Sequence, residues 1–80
     1  MSNRDSDSYM NIHVVMDPIV VYRDGSKELF EAIYVTSKNL YIGHVTKSEE
    51  KSIFVEEGGI PWGNITRIIG GTTIMAYKKK

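Results

Sequence analysis

The sequence predicts a small, mainly β domain: a partly open barrel or sandwich of six or seven short antiparallel strands, with at most one short helix or 3-10 turn. An α+β arrangement is the alternative. Three observations carry this reading. Short runs rich in Val, Ile, Thr, Tyr and Phe recur along the chain, Gly, Pro and polar turn signals separate them at short intervals, and no repeat or linker divides them.

Residues 1–9 are polar and acidic, offer little to bury, and read as a disordered N-terminal tail. A single β-rich domain is expected over 10–77, followed by a basic C-terminal tail at 78–80. Asn11 to Met16 alternates Ile12, Val14 and Met16 with Asn11, His13 and Val15, the period of a strand with one buried face. Asp17-Pro18 interrupts it, because proline lacks the N–H that a ladder needs. Ile19 to Tyr22 is β-branched and aromatic and predicts a second strand, closed by the Asp24-Gly25 pair that tight hairpins favour. Residues 26–34 read two ways. Ser26 could cap a short helix with Leu29, Phe30 and Ile33 on one face, but from Ala32 to Thr36 the β-formers win. Ser37-Lys38-Asn39 is a turn, Leu40 to Val45 a strand, Glu49 to Lys51 a solvated loop, and Ser52 to Glu56 a short strand closed by Glu57-Gly58-Gly59. Pro61 and Gly63 around Trp62 suggest a tight or 3-10 turn feeding 65–69, which fits a strand or a helical turn. After Gly70-Gly71, Thr72 to Tyr77 is the last strand.

Eighty residues make one domain, and so short a chain buries only about 60–65% of its unfolded surface. With no cysteine, neither a disulfide nor a thiolate metal site can support that thin core, and a reducing cytoplasm is the expected compartment. No signal peptide is read at the start, and the longest apolar runs fall far short of the ~20 residues that span a bilayer. The net charge is zero, yet residues 1–31 carry six acids against three bases and residues 32–80 four against seven. A nucleic-acid binder is usually basic as a domain, which counts against that class.

No catalytic constellation is read, and no enzyme, metal or cofactor is expected. His13 and His44 lack ligand neighbours at metal spacing, and the pairs Glu49-Glu50 and Glu56-Glu57 bracket a strand roughly 20 Å long. Asp5 to Ser8 begins like a calcium loop without its later glycine and glutamate. Gly58-Gly59 and Gly70-Gly71 lack a phosphate loop's Lys-Ser/Thr.

The stretch Ala32 to Ile42 followed by Ile60 to Ile68 resembles pleckstrin-homology-like domains of the GRAM and bacterial type. There an Ile-Tyr-Val-Thr strand turns through a polar triplet, and a later Pro-started strand packs against it. The likeness spans about residues 30–69 and implies a membrane phosphoinositide module. This chain departs from it by ending in a strand and lysines where that fold has a helix. Asp24-Gly25, Asn39-Leu40 and Trp62-Gly63-Asn64-Ile65 are also similar in order to Sm-like small barrels. That resemblance implies RNA binding, although Trp62 stands at the arginine position of the base-reading loop.

The leading expectation is a non-enzymatic binding module that contacts a protein partner, including its own copy as a homo-oligomer. Its candidate residues are Trp62, Tyr41 and His44. Trp62 reads either as a core anchor or as an exposed hot spot; Tyr41 and Tyr34, if outward, would form an aromatic platform; Gly43 would let a partner approach His44. A nucleic-acid surface is the alternative, using Lys38, Asn39, Lys47, Lys51, Arg67, Lys78, Lys79 and Lys80. Sequestration of a small ligand by His44 and Trp62 at a subunit interface is a further alternative, and a membrane surface is disfavoured.

Overall fold

A computed structural model describes residues 9–79. Residues 1–8 of the tail expected at 1–9, and Lys80, lie outside them. Eight strands follow in order: β1 Tyr9–Met16, β2 Ile19–Tyr22, β3 Lys27–Leu29, β4 Ala32–Val35, β5 Asn39–Ser48, β6 Lys51–Pro61, β7 Ile65–Ile69 and β8 Thr72–Lys79, with a 3-10 turn at Trp62–Asn64. The domain is mainly β, as the sequence predicts. Tyr9 belongs to β1 rather than to a tail, and Lys78 and Lys79 extend β8 rather than follow it.

Five strands close a barrel in the order β1-β4-β5-β6-β8, and the other three form a sheet in the order β3-β2-β7. A ring of five strands cannot alternate direction throughout, so one pair must be parallel. It is the β6–β8 seam, joined at Ile53↔Tyr77 and Phe54↔Lys78. Every other pair in both sheets is antiparallel.

Two cores result from this layering. Ile12, Val14, Ala32, Phe54 and Ala76 fill the barrel. Val20 and Ile65 of the second sheet pack against Ile33 and Leu40 on the outside of the barrel wall. Successive strand residues face opposite ways, so Ala32 faces one core and Ile33 the other, and both are fully buried. That double burial explains the unbroken apolar run of β4.

The chain changes sheets where its backbone is unusual. Asp17, between β1 and β2, has φ +57°. Gly70 and Gly71 return the chain to β8 with φ +72° and +87°, and a Cβ on Gly71 would stand 2.5 Å from Val15 Cγ1. Glycine is needed there on both counts.

The open alternative at 26–34 resolves as strands β3 and β4, and that at 61–69 as the 3-10 turn Trp62–Asn64 followed by strand β7. Ser26 caps no helix; its N–H and hydroxyl both donate to Asp24 Oδ1, at 2.8 and 2.6 Å. Main-chain bonds from Tyr22 N to Ser26 O and from Phe30 N to Pro18 O lock β3 onto β2. The hairpin strands exceed their expected lengths as well. Lys51 opens β6, and the strand continues through Glu57, Gly58 and Gly59 with a register shift between Ile42 and Gly43 that leaves Glu57 unpaired. Gly43 permits this, because a Cβ there would collide with the Val55 carbonyl and meet Phe54 Cζ at 3.0 Å.

Candidate functional site

The second sheet presents an apolar face away from the barrel. Val20 and Tyr22 of β2 turn inward onto the wall. Ile19 and Val21 therefore turn to the other face, where Ile19 is half-buried and Val21 is buried. Ile19 lies opposite Leu29 on one side and Ile69 on the other. The three make a cross-strand ladder that ends on the edge strand at Leu29, which is 67% exposed, the highest value among the large exposed hydrophobics of the described residues. In the next row Val21 lies between Lys27 and Arg67, so cations flank the apolar ladder.

β3 is also an edge. Among the described residues it pairs with β2 and with no other strand. Tyr22–Ser26 and Pro18–Phe30 are the hydrogen-bonded positions. In an antiparallel ladder these alternate, so the main-chain N–H and C=O of Lys27 and Leu29 point away from β2 to the open side. All three β3 residues are exposed. The hairpin before it is held firmly: Arg23 N donates to Asn64 O at 3.1 Å and Arg23 Nε to Gly63 O at 2.5 Å. Tyr22 donates its hydroxyl to Glu28 Oε1 at 2.8 Å. Burial first, then the hydrogen bond to Glu28 and the charges of Glu28 and Asp24, push the Tyr22 hydroxyl up to about 12.

Apart from Arg67, the residues singled out from sequence do not gather at this face. Trp62 is half-buried, packs on the second core, and donates Nε1–H to Thr36 O at 2.8 Å. Tyr41 faces the barrel core, stacked on Tyr34 with centroids 6.1 Å apart. The outward aromatic platform is therefore corrected: these rings are packing. The Tyr41 ring lies across the ladder against Gly59, where a Cβ would stand 3.4 Å from Tyr41 Cδ1, an ordinary contact. His44 is on the outside of the wall, where the register shift brings Glu57 Oε2 to 2.7 Å from its Nδ1. Among the described residues no third carboxylate or imidazole joins that pair.

The basic residues are scattered. Lys38 lies in the β4–β5 turn, its N–H on Thr36 Oγ1, and Asn39 serves the same turn by accepting the Thr36 N–H and hydroxyl at its carbonyl. Lys47 stands near the opposite end of β5, roughly 25 Å away along the strand. Lys51 lies over the Tyr77 ring, 5.3 Å from its centroid, and Lys78 pairs with Glu56 at 3.7 Å. Lys79 lines a shallow groove beside Tyr9, and Arg67 is on the outer sheet. A neighbouring groove of about 360 Å³ runs between Tyr9, Asn11, Lys51, Ile53 and Tyr77 on the barrel wall.

Leu29 is the residue that sequence reading missed as a surface feature. The signal was present: Lys27-Glu28-Leu29-Phe30-Glu31 places one leucine between charges at alternate positions. Its exposure depended on β3 being an edge. No helix among the described residues is long and apolar enough to cross a membrane. Comparison with protein-family models, curated proteins and solved structures gave no match.

Proposed function

We propose that this chain is a non-enzymatic protein-binding module that works through its second sheet. The observation that carries the reading is the Ile69–Ile19–Leu29 ladder, which runs to an exposed leucine beside a strand edge that no other described residue pairs with. An extended protein segment adding to β3 would satisfy the outward main-chain groups and cover Leu29 in one step. Lys27 and Arg67 favour a segment with acidic residues beside an apolar one. The scatter of the cations, with Lys51 and Lys78 already engaged, supports protein over nucleic acid as the partner.

Site-specific photocrosslinking in the cells that make the protein tests this. A photoreactive residue at position 29 should give a discrete protein adduct, and one at position 75 none, although Met75 on the barrel wall is itself 58% exposed. No adduct from position 29, or equal labelling from both, would overturn the reading.

A further inference from the structure

The partner that best fits this edge is a second copy of the same chain. Resting on the reading of the second sheet as a docking surface, we propose that two copies pair their β3 strands antiparallel about Leu29, joining the two three-stranded sheets into one of six.

The register follows by elimination. Residues directly opposite each other in a sheet share a face, so a two-fold axis between two β3 strands must centre on a residue. Centred on Lys27, the pairing sets two lysines opposite each other. Centred on Glu28, it sets two glutamates opposite, and like charges so placed are unfavourable. Centred on Leu29, it places leucine on leucine and sets Lys27 of each copy at the end of the other's β3, beside Glu31 in the bend that follows the strand. Lys27, Leu29 and Glu31 are all exposed. The outward main-chain groups of Leu29 then bond their own copies, since Leu29 lies at an outward position of the ladder. The apolar ladder also becomes continuous, running Ile69, Ile19, Leu29 and then the same three residues in reverse through the second copy.

Strand addition over so few residues is a small contact, so the association belongs at the weak end of specific interfaces, where many crystal-size contacts also fall. Charge exchange separates a designed register from a sticky edge. Lys27→Glu alone, and Glu31→Lys alone, each bring like charges together at both symmetry-related positions. Lys27→Glu with Glu31→Lys restores opposite charges in the same register.

Sedimentation equilibrium from about 10 µM to about 1 mM, the range a contact of this size requires, should show a monomer–dimer equilibrium. Each single exchange should weaken it about tenfold, the double exchange should restore it, and Leu29→Lys should abolish it. Because the chain has no cysteine, Leu29→Cys gives one clean cross-link site. Opposed Cα atoms in a hydrogen-bonded antiparallel pair lie about 5.5 Å apart, within disulfide range, so mild oxidation should yield a covalent dimer. A chain monomeric at about 1 mM, or a dimer indifferent to Leu29→Lys, would overturn the proposal. So would a double exchange as weak as either single one. An adduct of position 29 with a different protein, beside a strictly monomeric chain, would overturn self-pairing while leaving the binding reading intact.

Discussion

Trp62 divides its indole between packing and polarity: the ring rests on the second core while its N–H reaches the Thr36 carbonyl at 2.8 Å. Trp62→Ala should therefore cost about 3 kcal/mol, at the low end for a large aromatic because the ring is only half-buried. Trp62→Phe keeps most of the packing and loses the hydrogen bond, for about 1 kcal/mol. Urea denaturation of both variants checks the ranking; equal, negligible losses would make the indole a surface group. Tyr22 supplies a pH-dependent contribution. Its pKa rises from 10.0 unfolded to about 12 folded, so the native state holds the proton that the unfolded chain gives up. The stabilisation is fully present below about pH 10 and is lost as pH rises through about 12. Relative to Tyr22→Phe, the wild-type chain should lose stability across that window, and a constant difference between the two would contradict it.

At the scale of elements, the β5–β6 hairpin carries the clearest strain. Its turn joins Ser48 to Lys51 through two glutamates, with φ +52° at Glu49 and +70° at Glu50. Such two-residue turns favour Asn-Gly, since both central residues are left-handed. Glu49→Asn with Glu50→Gly should raise stability by about 1 kcal/mol, read as a higher thermal midpoint. No gain would mean that the unfolded chain benefits equally from the new glycine. The same hairpin shows why strand ends were hard to read. Gly58-Gly59 looks like a terminator, yet β6 runs through it because Ile42 and Tyr41 cover the two glycines from across the ladder. In β3, by contrast, three exposed residues form a strand because β2 supplies their partners.

For the whole molecule, closure of the barrel depends on a seam of two parallel pairs, Ile53↔Tyr77 and Phe54↔Lys78. Lys78 adds an ion pair with Glu56 at 3.7 Å, partly exposed and so of small value. Removing residues 78–80 takes away half of the seam. The loss should be about 1–2 kcal/mol, more than an unstructured tail would give. Chemical denaturation of the shortened chain measures it, and an unchanged midpoint would show that the barrel closes without Lys78. The same architecture separates the basic residues, which lie on the turn, the wall and the outer sheet, so the charge asymmetry of the sequence does not become one basic surface.

The amino-acid sequence by itself determined the class. Period-two alternation at Ile12, Val14 and Met16, the β-branched runs at 19–22 and 32–36, and the breaks at Pro18, Gly25 and Gly70-Gly71 are local properties, and each survives in the fold. Tertiary structure decided which face and which edge stayed open. Tyr41 and Leu29 each occupy a strand beside an apolar partner, yet Tyr41 faces the barrel core and Leu29 faces solvent. Alternation tells that two faces differ but not what covers them. Coverage depends on which distant strands pair: β3 is left at the margin because β2 has β7 on its other side. The register shift opposite Gly43, which brings Glu57 to His44, is likewise set by contact with a strand more than ten residues away.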